Sequence, residues 1–331
     1  MAMSFRKTLK LAVCALTLPL LVTATSATAS NYPNRPIEAV VGFGTGGSAD
    51  RMTRIMSNHL SQELGVPVRV TNRPGAGTQI AANYILNAPD EGYHLFSSTF
   101  APYLNNTILA GNATYSVEDF SYINFQWFDQ DLIAVNKDSG YTSLSEVLDA
   151  IKNEPGTVRA SVVQGSAGHL MARILLEAYD IPQDNLNLVT YNSGGEARTA
   201  VAGGQVDLVL ISAQGSESIR EFLIPLAIVS EERIEQWDVP TVNEALEPLN
   251  IEVPVLQGSM RGFAVSAEFE RRHPERFNKL AQAMQNVLAK KELQDELRSH
   301  EIGGVWVGPE KSNQLMRENF ETFRRYAHIL N

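Results

Sequence analysis

Ile37-Glu38-Ala39-Val40-Val41-Gly42-Phe43-Gly44-Thr45-Gly46-Gly47-Ser48-Ala49-Asp50 sets a short β-branched run directly against a glycine-rich turn. Behind the turn, Met52, Ile55, Met56 and Leu60 recur at helical spacing, and Gly65 stands where a helix C-terminus favours a left-handed residue. The stretch reads as strand, tight turn and helix, with the helix over about 48–64 and the next strand at 66–71. Glycines let the backbone approach a ligand closely, and the first amides of the helix, on Ser48, Ala49 and Asp50, lack intrahelical acceptors. They would point from a positive helix end at a bound anion. The spacing within 42–47 also satisfies G-x-G-x-x-G, the dinucleotide pattern. However, the next strand ends Val70-Thr71-Asn72-Arg73, without the acid that a ribose hydroxyl needs. A plain turn between strand and helix is the other competing reading.

The pattern continues outward through Asn72-Arg73-Pro74-Gly75-Ala76-Gly77, a helix carrying Ile80, Ala81, Tyr84 and Ile85, and a strand at 95–97 whose end offers Ser98 and Thr99. Strands at 122–128 and 132–135 and a helix over 143–153 follow, and then the pattern restarts. A strand at 158–163 meets the turn Gly165-Ser166-Ala167-Gly168, and Leu170, Met171, Ile174, Leu175 and Ala178 stripe the next helix. The turn Tyr191-Asn192-Ser193-Gly194-Gly195 links a strand at 188–191 to a helix through Val201, and a strand at 206–211 completes the echo. From Phe263 the chain reads as mostly helical. Such alternation predicts an α/β fold with mostly parallel sheets flanked by helices. The echo predicts two lobes, one of 30–132 with 256–331 and one of 133–255, joined by a hinge of two crossing strands with a ligand cleft between them.

The N-terminus carries Arg6, Lys7 and Lys10, an apolar run over 11–22, and Ala27-Thr28-Ala29. This predicts a secretory signal cleaved after Ala29, its apolar run shorter than the roughly 20 residues of a spanning helix. Cys14 leaves with it, so the mature chain is cysteine-free and is expected to be soluble. Cleavage removes three of 27 basic residues and none of the 37 acids, leaving 24 against 37 and a formal charge of −13. That excludes nucleic acid as the expected partner, while local amide fields still allow anion capture. The six histidines are scattered without ligand spacing, so no metal and no cofactor are expected. An exported serine hydrolase with Ser166 as nucleophile competes, but Gln164 occupies the first glycine position of G-x-S-x-G. His169 reads as a packing or surface residue rather than a base, and Arg198 as solvated. Asp50 reads equally as a ligand contact and as an acid favoured by the helix dipole.

Tyr32-Pro33-Asn34-Arg35-Pro36-Ile37, Gly46-Gly47-Ser48-Ala49-Asp50, Asn72-Arg73-Pro74-Gly75-Ala76-Gly77 and Asp90-Glu91-Gly92-Tyr93 form one set of motifs. Gly165-Ser166-Ala167-Gly168-His169-Leu170, Tyr191-Asn192-Ser193-Gly194-Gly195, Gly203-Gly204-Gln205-Val206-Asp207 and Val239-Pro240-Thr241 form a second. In order and spacing, over nearly the whole mature chain, both resemble the Bug-type solute receptors of tripartite tricarboxylate transporters. The resemblance implies a two-lobed periplasmic binding protein (Venus-flytrap) fold. It implies a periplasmic monomer that delivers a mono-, di- or tricarboxylate to a permease of one large and one small integral subunit. It places the ligand against Phe43, Gly44, Thr45, Gly46, Gly47, Ser48, Ala49 and Asp50, and against Gly165, Ser166, Ala167, Gly168 and His169, often through two ordered waters. Ser98, Thr99, Tyr191, Asn192, Gly194 and Gly195 complete the implied pocket. The chain departs from the family at Gly42, where proline is usual, at Thr45, where alanine is common, and at Met260-Arg261, where the hinge often has an aromatic residue. Arg261 is left open between pairing a second carboxylate and lying on the surface, and a sensor role in a signalling system is also compatible.

Overall fold

The computed structural model describes residues 1, 31–89, 91–111, 113–191 and 193–329. Tyr32–Asn331 forms a compact unit of its own. The expected leader, with Cys14 and the cleavage point after Ala29, lies outside the described residues, as do Asp90 and Asn192. Among the described residues, no helix is long and apolar enough to cross a membrane.

The strands are β1 (Ile37–Val41), β2 (Val68–Asn72), β3 (His94–Ala101), β4 (Phe120–Asp129), β5 (Asp131–Asn136), β6 (Arg159–Val163), β7 (Asn187–Tyr191), β8 (Leu208–Ser212), β9 (Leu223–Val229) and β10 (Ser259–Ser266). The helices are α1 (Ser48–Leu64), α2 (Gln79–Asn87), α3 (Tyr103–Leu109), α4 (Leu144–Asn153), α5 (Ala167–Ala178), α6 (Gly194–Ala202), α7 (Val242–Leu246), α8 (Ala267–Arg272), α9 (Pro274–Leu288), α10 (Lys291–Ser299) and α11 (Gly308–Arg325). They build two five-stranded sheets, ordered β2-β1-β3-β10-β4 and β7-β6-β8-β5-β9.

Helices cover both faces of each sheet, so successive residues of a strand enter different cores. Ile37 and Ala39 of β1 join the core that holds the α1 stripe Met52, Ile55, Met56 and Leu60. Val40 faces the opposite core with Phe96 and Phe100. In the second lobe Ile133 and Val135 of β5 pack with Leu170 and Met171, while Leu132 and Ala134 face Ala197 and Val201. α1 ends where the sequence indicates, at Gly65 in the left-handed region with φ 70°.

The two-lobed α/β architecture matches the expectation: four of the five strands in each sheet run one way, and a single reversed strand, β10 or β5, makes each sheet mixed. β1 pairs parallel with β2 and β3, and β6 with β7 and β8. β10 pairs antiparallel with β3 and β4, and β5 antiparallel with β8 and β9. The reason is directional. A strand that feeds a helix ends at the cleft, whereas one that brings the chain into a lobe starts there and runs the other way.

Two strand assignments escape sequence reading. β9 contains Pro225, which cannot donate to a ladder and is tolerated because β9 lies at a sheet edge. β10 continues through Ser266 where helix was expected, because Ser259, Arg261 and Gly262 break the alternation of an interior strand buried along its whole length.

The lobes are joined most tightly at Gln130, the single residue between β4 and β5. The return crossing is not a second strand throughout, since residues 251–258 carry no ladder before β10 begins. A further link is α11. Its Leu315 and Met316 lie in a first-lobe core with Phe100 and Tyr122, while Phe323 is buried among second-lobe residues.

Backbone packing at the hinge leaves no room at Gly258, where an added Cβ would overlap the carbonyl oxygen of Asp129. Gly258→Ala is expected to lose roughly 1–3 kcal/mol in urea unfolding. Gly44→Ala, with nothing within 4 Å of the added atom, should stay within about 0.5 kcal/mol of the parent.

Candidate functional site

Three helix N-termini define the site. At α1 the N-cap is Gly47, which has no side chain with which to satisfy the amides that follow. The loop before it is held from behind by Asp50, whose carboxylate accepts from Gly46 N at 2.8 Å, Asn72 Nδ2 at 2.8 Å and Arg54 Nε at 3.0 Å. Burial opposes its ionisation, but Arg54, the Gly46 amide and Asn72 outweigh that and hold the carboxyl below the usual range. Gly46 takes φ 84°, a conformation open to glycine. The departure at Gly42 has a packing cause, because a Cβ there would fall on the Thr78 hydroxyl. Thr78 Oγ1 bonds Ser98 Oγ at 2.8 Å, which turns Ser98 into the interior.

At α5 the N-cap Ser166 accepts from His169 N at 3.1 Å, and His169 Nδ1 accepts from Gly165 N at 3.3 Å. Burial, then Arg173, pushes His169 down to about 4, so the imidazole is neutral and able to accept. Gly165, with φ 70°, offers its carbonyl to Asn106 Nδ2 of α3, a hydrogen bond between lobes. At α6, Ser193 and Glu196 form a capping box at 3.3 and 3.1 Å. The amides of Gly194 and Gly195 are left without intrahelical acceptors.

These ends surround an interlobe cavity of about 450 Å³. The structure brings together Phe43, Gly46, Gly47, Ser48, Ala49, Thr99, Ser166, Gly194 and Gly195 from the expected set. Gly44, Thr45, Asp50, Ser98, Ala167, Gly168 and Tyr191 lie off its wall, and Asn192 lies outside the described residues. Gly168 packs against β8, where a Cβ would overlap the Leu210 carbonyl. Gly165 and His169 line a smaller neighbouring cavity with Asn106. Ser166 and His169 do not form a nucleophile and base, since the hydroxyl caps the helix and the imidazole turns to Gly165.

Sequence reading offered one residue of the charged floor, Arg261, and missed Trp127, Asp129 and Asp131. Arg261 is 6% exposed, which overturns the surface reading. Its Nε donates to Ser48 Oγ at 3.0 Å, its other nitrogens face Asp129 Oδ2 at 3.4 Å, and it stacks over Trp127 at 4.4 Å. Arg198, expected to be solvated, is half-buried and donates to Ser212 O at 2.9 Å, Gln214 O at 2.7 Å and Ser216 Oγ at 3.0 Å. Asp129 Oδ1 accepts from Gln214 N at 3.1 Å, and Trp127 Nε1 donates to Gln214 Oε1 across the hinge. Asp131, at the start of β5, also lines the cavity. Burial, then Asp129, raises its carboxyl to about 7. The available signal was Asp129-Gln130-Asp131 wedged between two apolar runs.

Residues 52–331 match the model of the tripartite tricarboxylate transporter family receptor. Protein BugT of Bordetella pertussis is 30% identical over 227 residues, covering 67% of this chain and 69% of that protein. A UPF0065 protein of Pseudomonas sp. (strain P51) is 27% identical, and the chain spans 64% of its length. Among solved structures, a TctC solute binding protein from Polaromonas is 26% identical with TM-score 0.71, over 90% of this chain and 99% of that one. MatC from Rhodopseudomonas palustris, with bound malate, shares the fold at 21% identity and TM-score 0.69, over 91% of this chain and 100% of that one.

The buried acid makes a stability prediction. Asp131 is raised from 3.8 to about 7, so between those values the folded chain keeps a proton that the unfolded chain has released. Its contribution to stability is therefore present at low pH and lost as pH rises to about 7. Asp131→Asn should flatten that fall and raise the stability of ligand-free protein at pH 8 by roughly 2–4 kcal/mol in urea unfolding.

Proposed function

Because the chain belongs to the tripartite tricarboxylate transporter receptor family, we propose that it is an exported receptor whose cleft captures a small organic carboxylate and hands it to an integral-membrane permease. The carrying observation is that the N-termini of α1, α5 and α6, drawn from two lobes, line one cavity. Each helix end is equivalent to about half a positive charge, and a carboxylate between them is bound by both lobes at once. Gly47, Ser48 and Ala49 from one side, with Ser166, Gly194 and Gly195 from the other, hold it through amides and a hydroxyl. The ligand then stabilises the closed form over the open one, which gives the permease a shape to recognise. The malate in MatC is a ligand of this chemistry. A leader at residues 1–29, a periplasmic location, a monomeric state and a permease of one large and one small subunit complete the proposal. The chain is a receptor rather than an enzyme, and binding requires no covalent step.

Thermal unfolding of protein stripped of ligand, against mono-, di- and tricarboxylates, tests this reading. An acid at about a thousand times its dissociation constant should add roughly 4 kcal/mol, a shift of several degrees. Gly47, at φ −67° and ψ 165°, has a backbone that any residue adopts. Gly47→Val should therefore keep the fold while its branched side chain blocks the carboxylate and abolishes the shift. No shift with any acid for the folded parent would sink the proposal, and an unchanged shift in the variant would remove α1 from the site.

A further inference from the structure

Within the cavity, the floor contains one charged group that the chain does not use. Asp131 is 4% exposed and lines the cavity, yet Oδ2 is fully enclosed without a hydrogen-bond partner, and no described group donates to the carboxylate. The other floor charges are engaged, and Arg51 and Glu301 line the same cavity as exposed residues. Asp129 takes the Gln214 amide and faces Arg261, Arg261 reaches Ser48, and Arg198 holds the 212–216 turn through three acceptors. Buried acids are nearly always satisfied, and one left open at a cavity wall points to a partner that arrives with the ligand. The groups facing it are Asp129 from β4, Arg261 from β10, Arg198 from α6 and Tyr103 from α3.

The sign of the missing partner follows from charge. Two acids against two arginines balance among the floor side chains when Asp131 is ionised, and the three helix ends add the positive potential that one carboxylate meets. A second ligand carboxylate would then meet Asp129 and Asp131 at close range, and of the nitrogens of the two floor arginines only Arg198 Nη1 is left without a described acceptor to offer it. A cation meets the opposite situation, an unpartnered carboxylate in a low-dielectric wall. We propose that Asp131 selects the ligand by accepting from a protonated amine, so that the receptor takes a zwitterion of the amino-acid type. Its carboxylate lies on the helix ends and its ammonium on the hinge acid. This rests on the carboxylate reading above and names the second group of the same ligand. A net-neutral zwitterion also leaves the buried floor neutral.

Calorimetric titration of ligand-stripped protein with matched acids tests it. The sets are alanine, lactate and propionate; aspartate, malate and succinate; phenylalanine, phenyllactate and phenylpropionate. In at least one set the amine should bind at least tenfold more tightly than both isosteres at pH 8, and the preference should shrink at pH 5.5 as Asp131 gains its proton. Asp131→Asn should lower the amino acid's affinity at least tenfold and leave the deaminated acid's unchanged or improved. Hydroxy or deaminated acids binding the parent as tightly as the amine would overturn the Asp131 assignment while leaving the carboxylate reading standing. An unchanged preference in the Asn variant, or one that does not vary with pH in the parent, would overturn it as well. Binding by none of the nine acids overturns it too, and together with an absence of thermal shifts would also sink the carboxylate reading.

Discussion

Positive helix ends repel one another, and this cleft gathers three of them with three arginines, Arg51, Arg198 and Arg261, around one cavity. The counter-charge is Asp129, placed there because β4 passes into β5 through a single residue. It anchors a continuous run of polar contacts, from Gln214 N to Asp129 at 3.1 Å, to Arg261 at 3.4 Å, and on to Ser48 Oγ at 3.0 Å. Turn, hinge and anion loop are thereby held in one network. Remove the acid and a buried guanidinium at the first turn of α1 loses its compensation, the costly outcome for ion pairs of this kind.

The division of labour between backbone and side chains follows from this. Amides at helix ends recognise a carboxylate through geometry alone and are nearly indifferent to the side chains around them. They supply attraction for a class of ligands. Discrimination within the class falls to the crossing strands, whose side chains form the floor: Trp127, Asp129, Asp131 and Arg261. The residues best placed to choose a ligand therefore lie on the strands that meet at the crossing between the lobes.

How much of this was legible in the sequence follows the same division. Glycine turns between a strand and a helix carry their own signal, so the α1 and α5 loops, the Gly194-Gly195 turn and the two-lobed alternation could be read directly. The floor could not. Asp129 and Asp131 fall in the gap between two apolar runs that sequence reading ended at Phe128 and resumed at Leu132, whereas the strands reach both acids. Arg261 sits in an interior strand whose alternation is broken, and its burial depends on Trp127 and Asp129, more than a hundred positions away. Strand direction was likewise hidden, since whether a strand feeds a helix or crosses a hinge is a property of the path rather than of local composition. Ser98 and Thr99 show the limit at the scale of one residue. Both lie in the same strand, but only Thr99 reaches the cavity, because Thr78 draws the Ser98 hydroxyl inward.

α11 bears on how such a molecule can move. With Leu315 and Met316 set in one core and Phe323 in the other, the helix acts as a mechanical stop. A wide swing of the lobes would draw the Phe323 ring out of the core in which it is buried, a cost that opposes such a swing.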